Sequence, residues 1–87
     1  MTGVQYFWRH PLAEQVREEG REEGRREGRA QERAAGVLRI LRWRQIGVPD
    51  EVRDRVLSST DLDQLGTWLD RSYQVTDAAD LFADAGV

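Results

Sequence analysis

A four-residue repeat of arginine, glutamate and glycine constrains this chain more than any other feature of its sequence. Arginine returns at every fourth position across residues 17–33, and glycine follows in the same step at Gly20, Gly24 and Gly28. In an α-helix a step of four residues turns by about 400°, so each stripe winds slowly around the helix axis. The repeat therefore predicts one charged helix over residues 12–35, in which stripes of arginine, glutamate and glycine wind together.

The repeat helix is expected to be weak by itself. Each interior glycine costs about 1 kcal/mol of helix stability relative to alanine. Opposite charges three or four residues apart return roughly 1–2 kcal/mol in total, and like charges at four-residue spacing offset part of that gain. The pairs that the spacing predicts are Glu18–Arg21, Glu22–Arg25, Glu22–Arg26 and Glu23–Arg26.

A partner helix would compensate for this weakness. Small residues at every fourth position let two helix backbones approach closely, and an arginine stripe on one chain could lie against a glutamate stripe on another. The competing interpretation is a solvated linker helix that contacts nothing. The candidate residues for self-association are Arg17, Gly20, Arg21, Glu23, Gly24, Arg25, Glu27 and Gly28.

The length and composition of the chain also favour association with a second copy. The chain has 87 residues and no cysteine, so neither a disulfide nor a thiolate metal site can stabilise a small core. All thirteen basic residues are arginine. Without lysine the chain cannot carry out Schiff-base, P-loop or Glu-x-Lys nuclease chemistry. We expect a homo-oligomer.

The charge distribution bears on nucleic-acid binding. The net charge of −3 combines a slightly basic middle, residues 36–55, with a strongly acidic end, residues 56–87. A nucleic-acid-binding domain usually concentrates basic residues and has a pI above about 9. A DNA-binding accessory surface is therefore the less favoured alternative, and its candidate residues are Arg39, Arg42, Arg44, Arg53 and Arg55.

The first 13 residues contain an aromatic cluster, Tyr6, Phe7 and Trp8, followed by the single histidine, His10. This cluster could pack on a neighbour or fray, and the sequence does not separate the two. No apolar run is long enough for a signal peptide or a membrane span. We expect a cytoplasmic protein that makes no membrane contact.

The rest of the chain predicts a small helical unit. The spacing predicts that the long helix continues to residue 46, with Gly47 closing it and Pro49 opening the next helix. Further helices are predicted to start at Thr60, as N-cap, and at Thr76. Trp43, Leu57 and Tyr73 are expected to join the core. The other predicted core residues are Val37, Leu38, Leu41, Val52, Val56, Leu62, Leu65, Trp68, Leu69, Leu81 and Phe82.

The predicted fold class is all-α, with one long N-terminal helix followed by three short helices packed on its C-terminal third. Three segments are expected: an aromatic segment (1–13), a charged repeat helix (14–35) and a helical tail unit (36–84). Within these segments no spacing of acidic residues matches a calcium loop, and no glycine pattern matches a phosphate loop. We therefore expect no catalytic, cofactor-binding or metal-binding residues, and no enzyme activity.

Two joined stretches carry a resemblance to a known family. The first is the tandem repeat GREEGRREGRA, and the second is its sequel, VLRILRWRQIGVPDEVRDRVLSSTDLDQLGTWLDRSYQVTDAADLF. Together they resemble, over residues 14–82, the C-terminal tails of the Rpn-like family of bacterial recombination-promoting nucleases and transposases.

What the resemblance implies is an accessory role. In that family a nuclease domain with catalytic Asp and Glu-x-Lys residues stands upstream of the tail. Here 13 residues precede the repeat and lysine is absent, so no nuclease residue is carried over. The resemblance implies a helical tail that contacts itself or a nuclease-bearing relative. A gene remnant with no function of its own is a further alternative.

Overall fold

The computed structural model describes the backbone of residues 11–83 and the side chains of residues 15–83. Within that range the chain forms helix α1 (Pro11–Trp43), helix α2 (Asp50–Ser58), helix α3 (Leu62–Ser72) and a 3-10 helix (Ala78–Phe82). No strand occurs there. The predicted all-helical class with a long first helix is confirmed. The last predicted helix is a short 3-10 helix, and Tyr6, Phe7, Trp8 and His10 lie outside the described residues.

The hydrophobic core forms around the second half of α1. Its buried side chains on this helix, Ala30, Ala34, Val37 and Leu41, follow a spacing of four, three and four residues. This spacing places them along one side of an α-helix. Against them pack buried residues of the shorter elements, which are Val52 and Val56 of α2, Leu65 and Trp68 of α3, and Ala78 and Leu81 of the 3-10 helix.

Apart from Trp43, Leu57 and Tyr73, the predicted core residues, eleven in all, are confirmed as core or as partly buried residues packed against it. Ala30, at the beginning of the buried stripe on α1, was not predicted to be buried, because it lies inside the charged repeat. Ala30 and Ala34 are only 3% and 1% exposed. Small side chains here let α3 lie close to α1, and at Gly36 a Cβ would sit 3.6 Å from Leu69 Cδ1.

Helix α1 ends at Trp43 rather than at residue 46, and the residue that closes it is Gln45 rather than the predicted Gly47. Gln45 has a positive φ of 62°, whereas no described glycine has one. The amide of Ile46 donates to the carbonyl of Leu41 at 2.9 Å, and the amide of Gln45 donates to the carbonyl of Arg42 at 2.9 Å. These two bonds define a Schellman motif, which also brings the apolar Ile46 back onto the helix.

Aspartate side chains begin the last two helices. Asp61, not the predicted Thr60, is the N-cap of α3, and its carboxylate accepts from the amides of Asp63 and Gln64. Asp77, not Thr76, caps the 3-10 helix by accepting from the amide of Ala79. A carboxylate at an N-cap satisfies amides that have no partner within the helix.

Three aromatic or aliphatic residues predicted to be buried are exposed. Trp43 is 87% exposed, because it lies about 200° around α1 from the buried Leu41. Leu57, 52% exposed, points about 100° away from its buried neighbour Val56. Tyr73 is 62% exposed, since the adjacent Ser72 takes the position that continues the buried side of α3.

Arginine side chains connect the helices by donating hydrogen bonds to backbone carbonyls. Arg33 of α1 donates to the carbonyl of Leu62 at 2.8 Å, at the start of α3. Arg44 donates to the carbonyls of Ser72 at 2.8 Å and Val75 at 2.7 Å, at its other end. Arg71 of α3 donates to the carbonyl of Leu81 at 2.7 Å. These bonds fix α3 against α1 at both ends and hold the 3-10 helix onto α3.

The molecule is elongated because only half of α1 is packed. Its extents are 62 × 27 × 19 Å and its radius of gyration is 19.1 Å. A compact domain of this length would have a radius of gyration of about 12 Å. Residues 30–83, hereafter the body, form the packed part, and the preceding turns of α1 project from it.

Candidate functional site

The projecting half of α1 is the most unusual surface of the molecule. Every side chain of residues 15–29, hereafter the arm, is exposed, on all sides of the helix. A Cβ added at Gly20, Gly24 or Gly28 would meet no heavy atom within 4 Å. No intramolecular packing therefore explains why glycine occupies these positions. The residues predicted for self-association all lie on this arm, namely Arg17, Gly20, Arg21, Glu23, Gly24, Arg25, Glu27 and Gly28.

The arm has a fixed arrangement of charge around its axis. Because each residue turns an α-helix by about 100°, the residue before a glycine and the residue after it lie on opposite flanks of that glycine. Glutamate precedes each arm glycine, and arginine follows each one. The glycine stripe thus runs between an acidic flank and a basic flank. The acidic flank is Glu19, Glu23 and Glu27, and the basic flank is Arg21, Arg25 and Arg29.

Two of the four predicted ion pairs form, and both involve the side of the arm opposite the glycines. Arg21 pairs with Glu18, and Arg25 pairs with Glu22. The hydrogen bond from the Arg21 guanidinium, together with its charge, lowers the pKa of the Glu18 carboxyl below its ordinary value of 4.5. The two predicted pairs of Arg26 do not form among the described residues, where Arg25 engages Glu22 instead.

Among the described residues, the acidic flank has no cationic partner. Within residues 15–83, neither Glu23 nor Glu27 forms an ion pair or a side-chain hydrogen bond. Glu19 accepts only a long hydrogen bond, 3.5 Å, from Gln15. The arm therefore presents carboxylates that no cation of the same described chain neutralises.

The five arginines predicted for nucleic acid contact do not act as one basic face. Arg44 is bonded to the carbonyls of Ser72 and Val75, as described above. The guanidinium of Arg55 lies 4.1 Å from the ring centroid of Phe82, within cation–π distance. Arg53 lies 3.4 Å from Asp50 and 3.6 Å from Asp54. Arg39 and Arg42 are exposed on the last turns of α1.

The structure also contains an open apolar groove that the sequence analysis missed. It has a volume of about 510 Å³ and lies where α1 turns towards α2. Arg42 and Arg53 flank it, and the partly buried Leu38, Ile46 and Val48 form its apolar lining.

Two other kinds of site are absent from the described part of the chain. No group of three or more His, Asp or Glu side chains there is arranged to hold a metal ion. Residues 11–83 also contain no helix that is both long enough and apolar enough to cross a membrane.

Comparison with known proteins identifies no relative of this chain. No protein-family model, curated protein or solved structure matches this chain. The functional interpretation consequently rests on the arm and the body themselves.

Proposed function

We propose that this chain is a non-catalytic interaction module whose arm pairs with the arm of a second copy. The observation that carries the proposal is the exposure of the arm on every side, together with three glycines that no contact within residues 15–83 requires. Those glycines cost about 3 kcal/mol of helix stability in total. The two ion pairs of the arm return only about 0.2–0.5 kcal/mol each. A second helix against the glycine stripe would compensate for the difference.

The wider role that we propose is that of an accessory tail of the Rpn-like kind. The support for it is the order of parts in the sequence: charged glycine repeat, leucine-rich helix, Gly-Val-Pro-Asp turn and Trp-Leu-Asp-Arg segment. In this role the partner is a second copy of the chain or a nuclease-bearing relative that carries the same repeat.

A DNA-binding tail receives less support from the same structure. Three of its five candidate arginines already have partners within the chain, which are Arg44, Arg53 and Arg55. The remaining two, Arg39 and Arg42, provide few phosphate contacts, whereas affinity for DNA grows with the number of phosphates neutralised. Self-association is therefore the function that we favour.

Sedimentation equilibrium of an arm variant tests the proposal. The variant is designed to raise the helix content of the arm and to weaken its association. In Gly20→Gln/Gly24→Gln/Gly28→Gln, helix propensity rises because glutamine is a better helix former than glycine. The added side chains have space in the monomer but obstruct a second backbone. We expect the variant to be more helical by circular dichroism and yet more weakly associated.

The matched control is Gly47→Gln, since a Cβ at Gly47 also meets nothing within 4 Å but lies outside the arm. We expect this control to associate like the unaltered chain. Association of the unaltered chain should weaken as salt rises, because exposed charges are screened. A chain that stays monomeric at low and high salt, even at high micromolar concentration, would refute the proposal, and so would a triple variant that associates undiminished.

A further inference from the structure

We infer that two arms pair in parallel, with their N-terminal ends together and the glutamate flank of each against the arginine flank of the other. This inference rests on the proposed self-association and adds the orientation of the partner. It follows from the order of charges around the glycine stripe. Neither the exposure of the arm nor the presence of the glycines alone would specify an orientation.

The flanks are placed where they can reach a partner helix. With the glycine stripe facing the partner, the residues one before and one after each glycine lie about 100° to either side. These positions correspond to the e and g positions of a coiled coil, whose charges set partner choice and orientation. Here every such position is charged, with Glu19, Glu23 and Glu27 on one side and Arg21, Arg25 and Arg29 on the other.

Twofold symmetry then separates the two orientations. Most homo-oligomers are symmetric, and a twofold axis presents the same patch on both copies. When the axis runs along two parallel helices, the left flank of one helix lies beside the right flank of the other, so glutamate meets arginine. When the axis is perpendicular to two antiparallel helices, each flank lies beside its own copy, so glutamate meets glutamate. Only the parallel pair is electrostatically complementary.

The unpaired carboxylates of the arm supply the second observation. Glu23 and Glu27 have no cationic partner within the described residues, while Arg21 and Arg25 are engaged by glutamates on the far side. In the parallel pair, the arginine flank of the second copy would lie next to these carboxylates. Arg21 and Arg25 make their ion pairs with Glu18 and Glu22 through Nη2, and a guanidinium has five N–H donors, so both arginines keep donors for the acidic flank of the second copy.

The body does not obstruct a parallel pair. Gly28, the glycine nearest to the body, lies about 160° around the axis from Ala30, where the packed face of α1 begins. Two bodies at the same end of the pair would thus lie on its outer sides. Beyond Gly28 the fourfold step continues to Glu32, which is not small, so close contact between the helices should end there. A repeat period longer than 3.6 residues also predicts that the pair winds in a right-handed sense.

Disulfide trapping distinguishes the orientations, because the chain has no native cysteine. Gly20 and Gly28 are eight residues apart, or about 12 Å along the helix, which exceeds the Cα separation that a disulfide bridges. In a parallel pair, Gly20→Cys should cross-link to itself and Gly28→Cys to itself. In an antiparallel pair centred on Gly24, each variant should cross-link only when mixed with the other. Gly47→Cys measures collisional cross-linking, and a glutathione redox buffer keeps all reactions at equilibrium.

The parallel pair predicts strong homodimeric cross-links for Gly20→Cys and for Gly28→Cys. In a mixture of the two variants, the yield of cross-linked heterodimer should not exceed the collisional yield measured with Gly47→Cys. Predominant Gly20→Cys–Gly28→Cys heterodimers would overturn the parallel orientation while leaving self-association intact. Cross-linking at the Gly47→Cys level for both variants, joined with a monomeric mass in sedimentation, would overturn the orientation and the proposed function together.

Discussion

At the scale of single residues, the fold depends on a few side chains at helix ends. Gln45 closes α1 in a left-handed backbone conformation, and Asp61 and Asp77 cap the two helical segments that follow. The capping aspartates are favourable in these positions. Gln45 is unfavourable, because the left-handed conformation costs a residue with a Cβ roughly 1–2 kcal/mol. It stays there since the Schellman bonds and the packing of Ile46 require the chain to turn at this point.

Replacing Gln45 with glycine should stabilise the protein. Glycine removes the strain at the φ of 62° but increases the entropy of the unfolded chain, so we expect a net gain of about 0.5–1 kcal/mol in the free energy of unfolding. Urea denaturation measures it. The same substitution at Gln74, in the turn after α3 and without a positive φ, should destabilise the protein by a similar amount. Equal effects of the two substitutions would contradict the assignment of strain to Gln45.

The residues of the core were largely predictable, and the errors have a common cause. Leu41, Leu65 and Leu81 were identified because apolar residues recur at helical spacing. Trp43 and Tyr73 have the apolar character of core residues, but their angles around the helices turn them towards solvent. Ser72 and Ala30 show the reverse, since small or polar residues occupy buried positions that residue type alone does not reveal.

At the scale of elements, arginine side chains connect the helices in addition to their shared apolar core. Arg33 of α1 and Arg44, which directly follows α1, bond to the two ends of α3, and Arg71 bonds to the 3-10 helix. Arg55 lies over Phe82, whose ring meets Trp68 edge-on at 5.0 Å. The planar guanidinium, with its five donors, suits this use better than an ammonium group would. The sequence pattern predicted the helices. It could not predict which arginines would bond to another helix, because that depends on where the carbonyls lie after folding.

Removing the Arg44 guanidinium should loosen α3 from α1. In Arg44→Met the carbonyls of Ser72 and Val75 lose their charged donor, and we expect a loss of about 1–3 kcal/mol in the free energy of unfolding. Arg42→Met is the matched control, because Arg42 is exposed two residues earlier, and it should change stability by less than about 0.5 kcal/mol. Thermal or urea unfolding gives both values. Indistinguishable stabilities would show that the two bonds to α3 contribute nothing.

At the scale of the whole molecule, α1 belongs to two different environments. Its second half is the central helix of the body, and its first half is an arm whose described side chains, residues 15–29, are all exposed. The repeat predicted a continuous helix across both halves, and the helix Pro11–Trp43 confirms it. Burial begins at Ala30, and the sequence could not reveal this boundary because Glu32 and Arg33 continue the charged pattern beyond it.

The central claim, that the arm is held as a helix by a second copy, is tested most directly by amide hydrogen exchange at several protein concentrations. Pairing stabilises the arm by mass action. The amides of residues 17–29 should therefore gain protection as concentration rises, while those of residues 34–41, inside the body, should change much less. Protection of the arm that is the same at every concentration would contradict the claim and identify the arm as a solvated linker helix.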